Sequence, residues 1–466
     1  MNAPLAQTLI HSLTRAELRE ARRWLAGPGH PRRQGVLELF DYLAAAAQRG
    51  RPASQETAWA ALYPDQPYND QQLRLLLSYL LRSLERFLAL RELEGDAFLP
   101  DRLLLQAYRQ RKLPRHFAHV LQRARKRLGR QPWRHPEYLL ADYALEQEHY
   151  QMESAEGRTR EFNLQEQETQ LTCAFLAMKL RQGCLLLAHQ AVFNTPYQVE
   201  LEAELLALAT RPPYAELPAV AVYRDGYRAL RSPEQEDLFA PFRQQLMQSL
   251  DCFPQEELRD LFLLGINLCI RNINRNREGF LREALELYRS GIEAGLLIED
   301  GRLSRFAYHN AIGIALRLGE LDWAEQFLHR YRELLEPEQQ AAAFSLNAAR
   351  LSFARRDFGQ ALLDLQQADY KDLLNNLAAK TLQLKIYYEL GELGLLDSHL
   401  RAMQAFLRRQ HHLGYHQQNY RNIARFAARL LALPPGDETV RQKLRAAIEQ
   451  AEPLTEKEWL LEQLER

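Results

Sequence analysis

Apolar residues recur along most of this chain at intervals of three and four positions, which is the spacing of one face of an α-helix. Between Asn69 and Glu92 that face contains Leu73, Leu76, Leu77, Leu80, Leu84, Phe87 and Leu88. Leu75, Tyr79 and Leu81 add apolar side chains on another side of the same segment. A helix that is apolar on two sides must be covered on both, so the pattern predicts a helix inside a bundle or a stack of helix pairs.

Signals for helix ends accompany this periodicity. Thr14 stands three positions before Glu17, and Thr455 three before Glu458, the spacing of a capping box that satisfies free backbone amides at a helix start. Val and Ile together fill only 18 of the 466 positions, while Leu and Ala dominate, which favours helix over sheet. We therefore predict an all-α fold with no substantial strand.

The C-terminal half contains an internal repeat. Three windows, around Tyr308, Asn347 and Leu384, share a pattern of small and large residues about 35 to 37 positions apart. That period is close to the roughly 34 residues of a tetratricopeptide (TPR) repeat, a pair of helices that stacks on the next pair. Gly319 and Gly391 suit the left-handed turn that ends the first helix of a pair.

These patterns predict an N-terminal helical bundle followed by an α-solenoid of TPR-like helix pairs. We divide the chain into a helical N-terminal domain at residues 1–130, a helical middle segment at 131–255, and a TPR-like repeat array with C-terminal capping helices at 256–466.

Two resemblances to known families follow from particular residues. The runs 63–74, 318–327 and 385–393, with Trp459 and Leu460, resemble an uncharacterised family of bacterial TPR-like helical-repeat proteins. That resemblance implies a cytosolic repeat protein and brings no known activity. Residues 36–90 resemble the winged helix-turn-helix domain of transcriptional regulators, although no β-hairpin wing can be found after them and an ordinary helical bundle is the competing interpretation.

Composition narrows the possible locations and partners. The chain is 46% hydrophobic and 26% charged. Its 60 basic and 60 acidic residues give a net charge of zero, which favours binding to neither nucleic acid nor anionic lipid. Cys173, Cys184, Cys252 and Cys269 are too irregularly spaced for a disulfide framework, and we expect Cys173 and Cys184 in the core. We find no secretory signal and no window of eighteen uncharged apolar residues, and we predict a cytoplasmic protein without a membrane span.

The chain shows none of the catalytic motifs for phosphate-binding loops, dinucleotide binding, nucleophilic serine or zinc peptidases. Three pairs have helical spacing, namely His116 with His119, His412 with His416, and Glu146 with His149. A carboxylate-bridged di-metal bundle needs the last motif twice, and it occurs once. We therefore predict no enzyme activity, no metal site and no cofactor.

The strongest local anomaly is a basic stretch at residues 102–134, which contains no Asp or Glu. Its candidate binding residues are Arg109, Arg111, Lys112, Arg115, Arg123, Arg125, Lys126, Arg127 and Arg130. They could contact nucleic-acid phosphates, or they could be neutralised by the acidic residues that follow at 137–168, which is the interpretation we favour.

A second candidate surface is the groove of the repeats. Asn310 and Asn347 fall at equivalent places on successive first helices, where a carboxamide can donate to and accept from a peptide backbone. His309, Arg350 and Lys385 could add specificity, while the competing interpretation is that the asparagines pack the helix pairs. We predict a non-enzymatic scaffold that presents a TPR-like groove to a protein or peptide partner. The alternative is a nucleic-acid-associated regulator that uses the basic stretch.

Overall fold

The computed structural model describes residues 4–27, 35–50, 53–157, 161–193, 195–275, 277–409, 415–434 and 436–465. The chain is 79% helical, with 23 α-helices and only two strands of two residues each among the described residues. The predicted all-α fold without a substantial strand is confirmed.

The chain divides into two compact units. The first contains residues 1–131 and 137–172, and the second contains 132–136 and 173–466. The predicted boundaries at residues 130 and 255 stay a prediction.

The first unit contains eight helices and the start of a ninth. They are α1 (Leu5–Ser12), α2 (Arg15–Ala26), α3 (Val36–Gln48), α4 (Gln55–Leu62), α5 (Asp70–Gly95), α6 (Leu99–Gln110), α7 (Pro114–Arg130) and α8 (Pro136–Glu156). Helices α1 to α5 enclose one apolar core, in which Phe40, Trp59 and Leu80 are almost fully buried. Helices α6 to α8 enclose a second core around Leu105, Phe117 and Leu145.

Local signals act as expected at several helix starts in this unit. The Thr14 hydroxyl accepts from the Glu17 amide at 3.3 Å, and the Glu17 carboxylate accepts from the Thr14 amide at 2.7 Å, which confirms the predicted capping box. In residues 36–90 the chain forms α3, α4 and α5, and the next element is α6 rather than a strand. The described part of the first unit thus contains the three helices of the winged-helix resemblance without a β-hairpin.

Helix α9 (Leu164–Phe193) begins in the first unit and continues into the second. The second unit adds α10 (Glu202–Ala209), α11 (Pro218–Arg231), α12 (Phe239–Gln248), α13 (Gln255–Ile273), α14 (Gly279–Glu293), β1 (Ile298–Glu299), β2 (Arg302–Leu303), α15 (Arg305–Arg317), α16 (Leu321–Arg330), α17 (Pro337–Ala354), α18 (Phe358–Gln366), α19 (Leu373–Glu389), α20 (Leu393–Arg409), α21 (Tyr415–Leu431), α22 (Glu438–Gln450) and α23 (Lys457–Glu465).

From α13 to α20 each helix contacts the next one along the chain. Helix α17 packs on its own second helix α18, and it also contacts α15 and α16 of the preceding pair and α19 of the following pair. We call α13, α15, α17, α19 and α21 the first helices, and α14, α16, α18 and α20 the second helices. The two strands form a short antiparallel hairpin between α14 and α15.

One turn geometry recurs at the end of three first helices. Gly319, Arg356 and Gly391 have φ angles of 75°, 61° and 70°, in the left-handed region. The residue after each donates its backbone amide to a carbonyl five positions earlier, as in Glu320 to Ala315 at 2.9 Å. This is the hydrogen bond of a Schellman motif, which satisfies an end carbonyl and turns the chain back.

Helix α9 changes one expectation about membranes. Among the described residues it is the one helix that is long and apolar enough to span a membrane, over Leu164–Ala191, by length and composition alone. Its most apolar window is 39% buried inside the protein, and a core helix passes the same test, so the evidence is weak. The exclusion of a span from sequence alone was therefore too strong, and the cytoplasmic location stays a prediction.

The recurring turn gives a stability prediction. A Cβ added at Gly319 or Gly391 would meet no atom within 4 Å, so Gly319→Ala and Gly391→Ala test backbone conformation without a clash. Each should lower the free energy of unfolding by about 1 kcal/mol, because a left-handed φ is costly for a residue with a side chain. The measurement is urea-induced unfolding of each variant.

Arg356→Gly is the matched variant, because Arg356 already holds the left-handed conformation. Glycine adopts the left-handed conformation without a steric cost, but it also gives the unfolded chain more freedom. The free energy of unfolding should therefore rise or stay within about 0.5 kcal/mol of the wild-type value. A loss at Arg356→Gly as large as those at the two glycines would contradict this account of the turn.

Candidate functional site

Side chains from three successive first helices converge in the second unit. His309 lies on α15, Asn347 and Arg350 on α17, and Lys385 on α19. These four predicted groove residues lie in one group of polar contacts, which we call the polar cluster. It also includes Glu456, which pairs with Lys385, and the ion pair of Arg305 with Asp372.

The amide of Asn347 is the centre of the cluster. Asn347 is fully buried, and its Nδ2 donates to the Ala343 carbonyl at 2.9 Å and to His309 Nδ1 at 2.8 Å. Its Oδ1 accepts from Arg350 Nη1 at 3.2 Å. Because Nδ2 is a donor, Nδ1 of His309 has to accept, which assigns the proton of the neutral imidazole to Nε2.

His309 is therefore held as a neutral hydrogen-bond donor. Burial, with a further contribution from the positive charge of Arg350, lowers the pKa of His309 to about 3. Its Nε2 is buried and has no hydrogen-bond acceptor among the described residues. A neutral, directed N–H is thus available inside the cluster.

Arg350 differs from the other two cations of the cluster. Arg305 lies 3.3 Å from Asp372, and the ammonium of Lys385 lies 2.7 Å from the Glu456 carboxylate. Arg350 bonds Asn347, and among the described residues no carboxylate lies within 4.0 Å of its guanidinium. Burial lowers the pKa of Arg350 below its usual value, as expected for a desolvated cation.

The C-terminal segment, residues 451–465, closes one side of the cluster. Burial alone would raise the pKa of Glu456, but the positive charges of Lys385 and Arg350 outweigh it and hold that pKa below its usual value. Glu458 pairs with Arg317 on α15, and Trp459 Nε1 donates to Glu389 on α19 at 3.1 Å. The segment is thus tied to two first helices by charged and polar contacts.

Asn310 lies apart from this cluster. It is exposed, its Nδ2 donates to the Tyr288 hydroxyl at 3.2 Å, and it lines a cleft of about 690 Å³. Leu263 and Phe306, on α13 and α15, line the same cleft and are 40% and 58% exposed. Asn310 and Asn347 each lie nine positions before a left-handed residue, yet only Asn310 faces solvent.

A larger cavity of about 1100 Å³ lies between α9, α11, α13 and the C-terminal segment. Asn267 on α13 lines both this cavity and the smaller cleft. We call the side chains of α13, α15, α17 and α19 that line the cleft, the cavity and the polar cluster the first-helix face.

In the first unit, ion pairs neutralise part of the basic stretch. Arg109 lies 3.0 Å from Glu148, and Arg125 lies 2.6 Å from Glu146, both on α8. The buried Asp101 on α6 pairs with two arginines of α7. Those arginines are Arg123 at 2.5 Å and Arg127 at 3.1 Å. Four of the nine predicted basic residues are therefore used within the unit.

The other five predicted residues have no acidic partner within 4.0 Å in the described part of the chain. They are Arg111, Lys112, Arg115, Lys126 and Arg130, all exposed. Arg115, His119, Lys126 and Arg130 follow helical spacing on α7 and form one exposed line, which we call the α7 stripe. It extends for roughly 22 Å at 1.5 Å per residue.

The remaining candidates have structural contacts. The Glu146 carboxylate accepts from Arg125 and also from Asn163 Nδ2 at 2.7 Å, while His149 Nδ1 lies 3.7 Å from it. Cys173 and Cys184 are buried free thiols, which confirms their predicted core positions. His412 and the side chain of His416 lie outside the described residues.

Sequence reasoning missed two residues of these surfaces. Asp101 stands one position before the basic stretch, and its place at the start of an acid-free run was a usable signal. Glu456 lies 71 positions after the Lys385 that it pairs with, and no local pattern relates the two.

The pKa of His309 gives a pH prediction. The folded chain binds this proton more weakly than the unfolded chain, whose histidines titrate near 6.5. As the pH falls from about 6.5 towards 3, the unfolded chain takes up a proton that the folded chain does not, so stability falls by up to about 1.4 kcal/mol per pH unit. His309→Gln should remove this contribution to the pH dependence of the free energy of unfolding. The measurement is urea unfolding at several pH values between about 7.5 and 4.5.

Burial also lowers the pKa of His399, so part of the pH dependence of stability should remain in the His309→Gln variant. The exposed His119 is the control site, and His119→Gln should keep the wild-type profile. An unchanged slope in His309→Gln would show that the histidine is not held neutral in the folded protein.

Comparisons with protein-family models, with curated proteins and with solved structures found no match to this chain. The resemblance to an uncharacterised bacterial TPR-like family therefore stays a prediction, and function has to be inferred from the contacts described above.

Proposed function

We propose that the chain is a non-enzymatic interaction scaffold whose first-helix face binds a protein or peptide partner. The observation that carries the proposal is the convergence of exposed and polar side chains from α13, α15, α17 and α19 on one face. That face contains a cleft of about 690 Å³ with exposed apolar side chains at its edge. A cleft edged by exposed apolar side chains can receive the apolar side chains of an extended or helical peptide.

A TPR-like α-solenoid is the architecture we propose for α13 to α20. Two features support it, namely first helices that contact both neighbouring pairs and the left-handed turn that recurs at Gly319, Arg356 and Gly391. In stacked helix pairs the first helices share one face, which becomes an extended binding surface. Residues 256–466 would form this array, with α22 and α23 as its cap.

The chemistry of the face supports binding rather than catalysis. A histidine acts best as a general acid or base when its pKa lies near the working pH, whereas the pKa of His309 is about 3. Burial also raises the pKa of the Cys184 thiol far above its usual value, which keeps it protonated. We propose a cytoplasmic location as well, supported by four cysteines that all remain free thiols.

The test is affinity capture from the native cell with the full chain as bait. Phe306→Ser combined with Asn310→Ala should remove a specific partner, because both side chains are exposed in the cleft. Leu363→Ser is the matched control, since Leu363 is 56% exposed on the second helix α18, close to the 58% of Phe306. Asn347 is unsuitable here, because its loss would leave buried groups without partners.

The expected outcome is a partner retained by wild type and Leu363→Ser and lost by the cleft variant, which should still unfold like wild type. If both variants lose the same partner, or neither does, the first-helix face is not the binding surface.

A second candidate function is nucleic-acid binding by the first unit. The specific observation is the α7 stripe, in which Arg115, Lys126 and Arg130 stay exposed without acidic partners in the described residues. Exposed cations along a line of roughly 22 Å can contact several phosphates of one duplex. A regulator that binds nucleic acid would use this stripe rather than the paired arginines.

Salt-dependent retention on duplex DNA tests this candidate. Reversing Arg115, Lys126 and Arg130 to Glu should abolish retention, or lower the slope of log affinity against log salt by about three. The control reverses Arg15, Arg19 and Arg23, exposed on α2, for an equal change in net charge. Equal weakening by the two triple variants would mean that net charge, and not the stripe, drives retention.

A further inference from the structure

We propose that Arg350 and His309 form a binding site for a single carboxylate group of a ligand. This inference rests on the proposed partner-binding function of the first-helix face, and it names the chemical group that the partner presents there.

The first argument is the charge balance of the polar cluster. Arg305, Arg350 and Lys385 supply three positive charges, whereas Asp372 and Glu456 supply two negative charges, each already within an ion pair. Within the described residues the cluster therefore carries one positive charge in excess. An unmatched charge on a half-buried side chain is partly desolvated, so binding of one anion there is favourable.

The second argument is the supply of hydrogen-bond donors. A guanidinium has five N–H donors in one plane and matches a carboxylate with two parallel bonds, while Arg350 makes one side-chain hydrogen bond, to Asn347, within the part of the chain that the structure describes. His309 Nε2 adds a buried donor without an acceptor among the described residues. The Asn347 amide bonds His309 Nδ1 at 2.8 Å and Arg350 Nη1 at 3.2 Å, so both side chains are anchored to the same amide.

The third argument selects a carboxylate over a phosphate. The excess in the cluster is one charge, and the carboxylates of Asp372 and Glu456 would repel a dianion more strongly than a monoanion. The low pKa of His309 also means that its ring supplies no second positive charge near neutral pH. A monoanion with two planar oxygens satisfies both conditions.

Arg350 is half-buried, and side chains near it beside the C-terminal segment are partly exposed. The side chains of Lys385 and Glu456 are 15% and 27% exposed, and that of Asp372 is 34% exposed. A side chain or a chain terminus can therefore reach Arg350 without unfolding the helix stack. Three sources of the group are an Asp or Glu side chain, a peptide C-terminus, and a small free carboxylate.

The test uses three probes with the full-length protein at neutral pH. Sodium acetate is compared with sodium chloride at equal ionic strength by thermal unfolding, since a ligand of the folded state raises the melting temperature. Two fluorescent peptides are compared by anisotropy, one with an internal Glu and blocked ends, and one without acidic side chains but with a free C-terminus. The probe that binds identifies the source of the carboxylate group.

Arg350→Met should abolish the rise in melting temperature with acetate, or lower the affinity for the peptide that binds at least tenfold. Arg350→Lys should lose part of this binding, because it keeps the charge without the planar donors. Arg401→Met is the control, because Arg401 is an exposed arginine whose side chain is 79% accessible on α20. If Arg350→Met does not fold, the comparison of Arg350→Lys with wild type decides.

Binding of any of the three probes that depends on Arg350 supports the site. No response to all three, or an equal response in wild type and the Arg350 variants, overturns it. Partner capture separates this result from the proposed function: a partner lost by the cleft variant, together with no Arg350-dependent binding of any probe, leaves the scaffold in place and removes the carboxylate site.

Discussion

The reversal of the chain after α15, α17 and α19 is the constraint on which this part of the second unit depends. A first helix can lie beside the next first helix only if its second helix folds back within a few residues, and a left-handed residue makes that turn. Gly319 and Gly391 do this at no steric cost, and Arg356 does it in spite of its side chain. Helices α15, α17 and α19 contact one another in succession, and Asn347 on α17 links His309 on α15 to Arg350 on its own helix.

Burying polar side chains between packed helices costs free energy unless they are hydrogen-bonded, and the Asn347 amide supplies part of these hydrogen bonds. Each buried polar group needs a partner, and this one side chain satisfies its own i−4 carbonyl, His309 and Arg350 together. The C-terminal segment brings Glu456 to Lys385. Residues 451–465 thus supply a carboxylate to one of the cations of the polar cluster.

Local sequence determined the features that could be predicted, and distant contacts determined the rest. Helix type, the Thr14 capping box and the left-handed glycines depend on neighbours within five residues, so their patterns were sufficient. Thr455 has the same spacing to Glu458, yet its amide donates to Asn419 at 2.8 Å and Glu458 pairs with Arg317, 141 residues away. Equivalence in the repeat likewise failed to separate Asn310 from Asn347, because exposure depends on which helices cover each position.

The two units leave positive charge unmatched in different environments, and the environment decides how much each observation implies. On α7, cations without partners are exposed, where water screens them and the cost of leaving them unpaired is small. An exposed basic line is therefore compatible with a partner but does not require one. Arg350 is half-buried, where leaving a guanidinium without a carboxylate costs more than it does on the exposed α7 stripe. A stable fold that nevertheless keeps this arrangement, with a neutral histidine donor beside it, is more readily explained by an anion that the face is built to receive.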